Sequence, residues 1–292
     1  MSVVFTGTQY ARRASNLTNI ASGKELTLSL WVKAENGEGG TIFVGGGPAG
    51  ATQKLSVTQS TASGIYSVLL RNAANVIIWQ ATTATAYDDG EWHNLLIAVD
   101  LAATTAHLLV DGASDEVTVV APVNDTIAWA DCTEWVFGAF FAGAATRLTG
   151  IVDSLWFATE YIDVSTAANE RLFYGDDGTK VGLGHQGRRP LARRPEVLLL
   201  HGPGNFGHNE GSGGDFALTG SLGFDRGRPA TVNSLARGFR GEAWRESERS
   251  GIPFPETELV HEPASGLEVA RREFSTDRDE INKLRRRRAF PE

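Results

Sequence analysis

The chain has 292 residues, of which 41% are hydrophobic and 21% charged, with a formal net charge of −8. This length is sufficient to bury a sizeable core in one or two domains. No run of about 18 uncharged apolar residues occurs, which excludes a transmembrane helix. The first residues do not have the pattern of a secretory signal peptide. The single cysteine, Cys132, excludes an intrachain disulfide.

The charge is distributed unevenly. Residues 1–224 contain 13 Lys and Arg against 22 Asp and Glu, whereas residues 225–292 contain 14 against 13. The acidic larger part argues against nucleic-acid binding, which requires clustered cations. The rise in charge density near Phe224 predicts a domain boundary. We therefore expect one folded domain over 1–224 and a charged anchoring arm over 225–292.

Short runs with strand character follow one another through the first 160 residues. In 26–33, Leu and Val residues alternate with Thr, Ser, Trp and Lys, which is typical of a half-buried strand. Further runs occupy 41–46, 54–59, 66–72, 76–83, 91–100, 106–112, 117–123, 134–141 and 148–158. Turn signals such as Asp88-Asp89-Gly90 and Asp111-Gly112 separate them. The pattern predicts an all-β fold, an antiparallel jelly-roll sandwich.

The rest of the chain is less regular. Residues 165–177 predict one short helix capped by Ser165, with Leu172 and Phe173 packed inward. An apolar strand is expected within 196–200 and a last strand within 217–224. In the arm, 225–266 contains four prolines and is expected to be extended. Residues 267–288 predict a helix with an apolar line through Leu267, Ala270, Phe274, Ile281 and Leu284.

The stretch Gly202–Gly207 has the letters G-x-G-x-x-G after an apolar run, as in dinucleotide-binding folds. No helix-forming run follows it, and Pro203 removes a backbone donor from the loop. A phosphate loop needs such a helix, because the N–H groups at its start bind the pyrophosphate. We therefore predict a loop of tight turns rather than a nucleotide site.

Catalytic patterns are weak. Glycoside hydrolases use two carboxylates flanking the scissile bond, but strand 149–156 offers Asp153 alone. The six histidines have no metal-ligand spacing such as H-E-x-x-H. We predict a non-enzymatic protein without catalytic residues or a bound cofactor.

Two groups of residues are candidates for ligand binding. The loop 124–134 offers the oxygen ligands Asn124, Asp125, Asp131 and Glu134, which would suit calcium, although a solvated loop is the alternative. Trp79 and Trp129 lie near strand ends, where an exposed indole could stack on a sugar ring, with core packing as the alternative. In the arm, the run Arg285, Arg286, Arg287 and Arg288 is a candidate for anchoring to an acidic partner protein.

Several motifs together resemble those of a known family. In chain order they are Phe5-Thr6-Gly7, Leu26–Lys33, Gly90–His93, Val110–Gly112 and Gly150–Asp153. This series is similar to the laminin-G/pentraxin branch of the concanavalin A-like lectin and glucanase superfamily. The resemblance implies a jelly-roll fold and leaves function open, because members bind sugars, bind proteins or build assemblies.

The residues after this series are similar to the end of such domains in structural proteins of tailed bacteriophages and gene transfer agents. The matching positions are Phe206, Gly207, Asn209, Gly211, Gly213, Gly214, Asp215, Phe216 and Gly220. The resemblance implies a virion component made in the host cytoplasm and displayed as a fibre, spike or capsid decoration. It brings no catalytic residues.

The expected partners follow from this resemblance. We expect the arm to contact other virion proteins and the chain to form a homo-oligomer, with neither membrane nor nucleic acid as a partner. Binding to host surface polysaccharide and a purely architectural role are the two main alternatives. Polysaccharide cleavage is the third.

Overall fold

The computed structural model describes residues 2–47, 53–141, 146–175, 178–199 and 206–225, together with short strands between 231 and 270. The chain divides into two compact units, Met1–Val232 and Asn233–Glu292. None of the described helices is long and apolar enough to cross a membrane.

The first unit consists mainly of short strands. In chain order they are β1 (Ser2–Thr6), β2 (Tyr10–Arg13), β3 (Glu25–Lys33), β4 (Gly40–Gly46), β5 (Gln53–Gln59), β6 (Tyr66–Arg71), β7 (Ile77–Thr83), β8 (Trp92–Asp100), β9 (Thr105–Val110), β10 (Ala113–Ser114), β11 (Glu116–Val120), β12 (Glu134–Phe137), β13 (Thr149–Ala158), β14 (Lys180–Val181), β15 (Val197–Leu199), β16 (Ala217–Thr219), β17 (Gly223–Asp225) and β18 (Thr231–Val232).

Most of these strands form two eight-stranded sheets. Sheet A has the order β10-β9-β8-β3-β13-β1-β17, and β15 also pairs with β13. Sheet B has the order β11-β7-β6-β5-β4-β12-β2-β16. All pairs within both sheets are antiparallel. The predicted all-β antiparallel sandwich is confirmed.

One large apolar cluster fills the space between the sheets, and the alternation of side chains explains it. Along β6, Tyr66, Val68 and Leu70 are buried in this cluster, while Ser67 and Leu69 face outward and are half-buried. The sequence pattern predicted this strand within one residue at its end. The large side chains of the core include Phe5, Phe43, Trp79, Trp129, Trp135, Phe137 and Phe157.

The outer face of sheet A is covered as well. A second buried cluster joins Leu96 and Trp156 on the sheet to Ile162, Phe173 and Leu183 in the segment that follows β13. For this reason the prediction of a half-buried β3 is wrong: every residue from Leu26 to Val32 is buried. The sequence of a strand does not reveal that a later segment covers its second face.

In the part of the chain that the structure describes, the helical content is very small. One four-residue helix, α1, spans Ala167–Glu170, and one-turn 3-10 helices span Trp129–Asp131 and His185–Gly187. The N-cap of α1 is Thr166 rather than the predicted Ser165. The Ser165 hydroxyl instead donates to Asp163 at 2.5 Å. As predicted, Phe173 is buried and Leu172 packs beside it.

The glycine-rich segment after β15 returns the chain to the sandwich; residues 202–205 lie outside the described part. Phe206 and Phe216 are buried in the main core. Gly207 lacks room for a side chain, because a Cβ there would collide with the carbonyl oxygen of Phe216. The predicted last strand is two strands, β16 in sheet B and β17 in sheet A. The segment therefore closes both sheets.

The second unit contains short strands in the described residues. They are β19 (Trp244–Glu246), β20 (Pro253–Pro255), β21 (Leu259–His261) and β22 (Glu268–Ala270), paired as β19 with β20 and β21 with β22. The predicted helix over 267–288 is not confirmed: β22 is extended, and residues 271–292 lie outside the described part. Arg285, Arg286, Arg287 and Arg288 lie there too.

Candidate functional site

The outer face of sheet B carries an open cleft of about 980 Å³. Cross-strand register builds its floor, since Thr58 is paired with Ser67 and Ser67 with Thr82. A neighbouring row places Ser56 opposite Leu69. Paired residues lie on the same face of a sheet, so three adjacent strands present these side chains outward together.

Hydroxyl groups dominate this cleft. Nine of its sixteen described lining residues are Ser or Thr, and none is Asp or Glu. The Ser67 and Thr82 side chains are half-buried and make no hydrogen bond with any described residue. Leu69 and Ile65 add apolar surface. The cleft therefore offers hydroxyl donors and acceptors beside apolar patches.

On one side the cleft is lined by Phe140, Thr146 and Arg147. Phe141 is buried against Val44 and Val136, with a backbone φ of 46°. This left-handed conformation is uncommon for a bulky residue, and the packing of the ring holds it. Next to it, the half-buried Phe140 lines the cleft, and its ring meets that of Phe141 at 4.9 Å. The buried neighbour thus fixes an aromatic ring at the rim.

Arg147 lies on the same side of the cleft. Its Nη1 donates to the carbonyl oxygen of Thr8 at 2.9 Å, and its Cζ lies 5.6 Å from the centre of the Tyr10 ring. A guanidinium over an aromatic face is attracted to it. The two contacts fix the position of the cation at the edge of the cleft.

The sequence-predicted tryptophans do not line this cleft. Trp79 and Trp129 both have an exposed fraction of 0% and belong to the main core. Trp79 pairs in register with Leu70, which faces the core, and the Trp129 ring packs 5.7 Å from that of Phe157. Neither indole presents a face to solvent, so the alternative of core packing holds for both.

The predicted calcium-binding side chains each have another partner. The Asn124 Oδ1 accepts from Lys24 at 2.6 Å, and the Asp125 Oδ2 accepts from Asn72 at 2.7 Å. The Asp131 carboxylate lies 3.7 Å from Lys54 Nζ. The buried Glu134 pairs with Arg12 at 2.8 Å. Across the described residues, no three His, Cys, Asp or Glu side chains gather to hold a metal ion.

The carboxylate considered for catalysis is engaged in an ion pair. Asp153 is buried on the outer side of sheet A, and its Oδ1 lies 2.6 Å from Lys180 Nζ. The Ser2 hydroxyl donates to its other oxygen at 3.4 Å. This arrangement is suited to holding the segment around β14 on the sheet.

Sequence reasoning missed the residues of the cleft. Ser and Thr are ordinary outward-facing residues of strands, so no single motif distinguishes them. The available signal was the recurrence of hydroxyl residues at the outward positions of three successive strands, at Ser56, Thr58, Ser67 and Thr82. Its detection required the strand register, which the sequence pattern did not provide.

Several solved structures are similar to this chain. A Bacteroides ovatus protein proposed to be a carbohydrate binding protein matches with a TM-score of 0.55 and 9% identity, over 80% of this chain and 61% of that one. A heptameric SAP-like pentraxin from Limulus polyphemus matches with a TM-score of 0.46 and 15% identity, over 77% and 95%. Domains LG4-5 of the mouse laminin α1 chain match with a TM-score of 0.39 and 16% identity, over 56% and 44%.

At 9% identity, the match with the Bacteroides ovatus protein bears on the fold alone. A search of curated proteins gave no match. A family model described as the concanavalin A-like lectin/glucanases superfamily matches residues 5–163. This range covers more than half of the chain and includes most strands of both sheets, so the chain belongs to the concanavalin A-like lectin/glucanases superfamily.

Proposed function

We propose that this protein is a non-enzymatic glycan-binding protein and that the cleft on sheet B receives the saccharide. The observation that carries the proposal is the lining of the cleft, in which hydroxyl and amide side chains surround apolar patches and no described residue is a carboxylate. Small-ligand sites typically enclose about 300–1,000 Å³. The volume of about 980 Å³ is at the upper end of this range and suits a short oligosaccharide.

The chemistry of a sugar matches this surface. A saccharide carries many hydroxyl groups, which both donate and accept hydrogen bonds, and C–H faces, which pack on apolar side chains. Ser67 and Thr82 have hydroxyls that no described residue engages, and Phe140 offers a ring at the rim. Because neighbouring strands fix these groups in register, little side-chain entropy is lost when a ligand binds.

Binding is favoured over hydrolysis. Glycoside cleavage generally requires an acid and a second carboxylate about 5 to 10 Å apart across the bond. The described lining has no carboxylate, and the buried Asp153 and Glu134 are each held in an ion pair. The described lining therefore offers a bound sugar neither of the two carboxyl groups that hydrolysis needs.

We also propose that the protein is a component of a phage or phage-like particle. The support is the similarity of residues 206–220 to the end of phage structural domains. In this placement the second unit contacts other virion proteins, and the cleft faces host surface polysaccharide. If the protein binds no glycan, the architectural role remains, in which the chain decorates the particle. Purified particles that lack the chain would contradict the placement.

The binding function is tested with the intact protein and a panel of bacterial surface oligosaccharides. We expect at least one to bind, and the double variant Ser67→Ala, Thr82→Val to bind it about tenfold or more weakly, because two hydrogen bonds of about 1 kcal/mol each are lost. The matched control is Ser114→Ala, Thr105→Val on sheet A, which removes the same groups away from the cleft. Equal affinity of both double variants would contradict the proposed site.

A further inference from the structure

Besides its hydroxyl groups, the lining of the cleft carries a positive charge. Of its described lining residues, Arg147 alone carries a charge. Two stretches outside the described part, 48–52 and 142–145, adjoin lining residues in the sequence, and neither contains a charged residue. The lining, as far as it is described, therefore combines one cation with neutral polar and apolar groups.

The positive charge of Arg147 is not paired with a carboxylate in the described residues. Its contacts there are the Thr8 carbonyl oxygen and the face of the Tyr10 ring, and both leave guanidinium N–H groups available. Arg12 provides a contrast on the same face of sheet B. Its Nε lies 2.8 Å from the buried carboxylate of Glu134, so its charge is balanced by the protein.

The surroundings of Arg147 favour an anion at this position. A half-buried guanidinium loses part of its hydration, and a carboxylate or sulfate can replace the lost contacts with two parallel hydrogen bonds. The net charge of −8 opposes this only weakly, because salt screens charges beyond about 8 Å under physiological conditions. The nearest charged group, the guanidinium of Arg147, therefore determines the preference for an anion.

We infer that the cleft takes an anionic saccharide, whose carboxylate or sulfate group pairs with Arg147. This inference rests on the proposed glycan-binding function and specifies its ligand class. The hydroxyl groups of the floor would bind the neutral part of the sugar, and Arg147 would select for the charged substituent. Hydrogen bonds to ionised groups are stronger than neutral ones, and one such pair is expected to favour the acidic form about tenfold to a hundredfold.

The test uses matched pairs of ligands on the intact protein. One arm compares a galacturonic acid trisaccharide with its neutral methyl ester, and the other compares a sulfated galactose disaccharide with the unsulfated sugar. We expect the acidic member to bind about tenfold to a hundredfold more tightly in at least one arm, which also identifies the anionic group. Equal affinities within both pairs would overturn the inference.

Variants then assign the preference to Arg147. In Arg147→Gln the ratio of acidic to neutral affinity should fall close to one, and in Arg147→Lys it should be intermediate, because an ammonium group lacks the planar fork. Arg71→Gln is the matched control, since Arg71 ends β6 in the same sheet and does not line the cleft. A ratio unchanged in Arg147→Gln would overturn the inference, provided that thermal melting shows a folded variant.

The experiments distinguish a wrong anionic preference from a wrong glycan-binding function. If neutral sugars bind as well as acidic ones, and the variant Ser67→Ala, Thr82→Val loses both, the glycan-binding function stands and the anionic preference is wrong. If no saccharide binds in any arm, both are overturned.

Discussion

His93 lies between two carboxylates at the start of β8. Its Nδ1 is 2.6 Å from Asp111 Oδ2, and its Nε2 is 3.0 Å from Asp89 Oδ1. Burial of the ring lowers the pKa of His93, but the hydrogen bonds and charges of Asp111 and Asp89 outweigh this effect and raise the pKa above its usual value. The hydrogen bond from His93 in turn lowers the pKa of Asp89. The protonated ring thus links the turn at Asp88-Asp89-Gly90 to the turn at Asp111-Gly112.

This arrangement predicts a pH-dependent stability. Because the pKa of His93 is raised on folding, the stabilisation is complete below the ordinary histidine pKa of about 6.5 and is lost as the pH rises through the raised value. We expect the melting temperature to fall over this interval and the fall to be smaller in His93→Gln. The measurement is thermal unfolding between about pH 5 and 8, with His107→Gln as control. The same slope in intact protein and His93→Gln would contradict it.

At the residue scale, the residue types can be read from the sequence, but the positions of their side chains cannot. The residue types show that the strand 149–156 contains Asp153 as its single carboxylate. The sequence did not decide whether Trp79 and Trp129 are exposed to solvent or packed in the core, because a tryptophan near a strand end is compatible with both. Their burial depends on which face of β7 meets the core and on the packing of Phe157. These are long-range contacts that local patterns do not contain.

At the scale of elements, Asn209 organises the closing segment. Its Oδ1 accepts from the backbone N–H of Leu198 at 2.7 Å and of Gly211 at 2.9 Å. Its Nδ2 donates to the carbonyl oxygens of Glu196 at 2.9 Å and Gly214 at 3.1 Å. The side chain is buried and joins β15 to the loop that returns the chain to sheet B.

Replacing Asn209 should therefore destabilise the sandwich. Asn209→Asp retains the two accepted bonds but places a carboxylate against two carbonyl oxygens, and Asn209→Ala loses all four bonds. We expect each variant to lower the free energy of unfolding by about 2 kcal/mol or more, because buried backbone groups lose their partners. Urea unfolding measures this change. The exposed Asn124→Ala is the control, and a loss no larger than in this control would contradict the role of Asn209.

The strands were the most predictable elements. Alternation placed β6, and the turn signal Asp88-Asp89-Gly90 placed β8, within a residue of their observed ends. β1 and β2 were not predicted as strands from alternation, because they are short and their polar and apolar residues do not alternate regularly. The cap of α1 was misplaced by one residue, since Ser165 and Thr166 are equally good candidates and only the contact with Asp163 separates them.

At the scale of the whole molecule, the chain consists of a sandwich unit and a smaller unit over Asn233–Glu292. The change in charge density near Phe224 predicts a boundary at that residue, and this boundary stays a prediction. Within the described residues of the smaller unit, β22 ends at Ala270 and pairs with β21. A truncation after Ala270 therefore removes the arginine-rich end without removing a described strand.

This truncation tests the anchoring role. We expect a chain lacking residues 271–292 to be absent from assembled particles, because Arg285 to Arg288 would no longer meet acidic groups of a partner. Particle content is measured by mass spectrometry, and circular dichroism checks that the truncated chain is folded. Replacing the four arginines by glutamine should have the same effect. Normal incorporation of either variant would contradict the anchor.

The proposed glycan-binding function places a saccharide on the outer face of sheet B. Its most direct test is amide chemical-shift mapping of the intact protein during titration with an oligosaccharide that binds it. We predict that the largest shifts occur in β5, β6 and β7 around Ser56, Thr58, Ser67 and Thr82, and at Arg147. Shifts confined to sheet A or to the ends of the sandwich would contradict the claim.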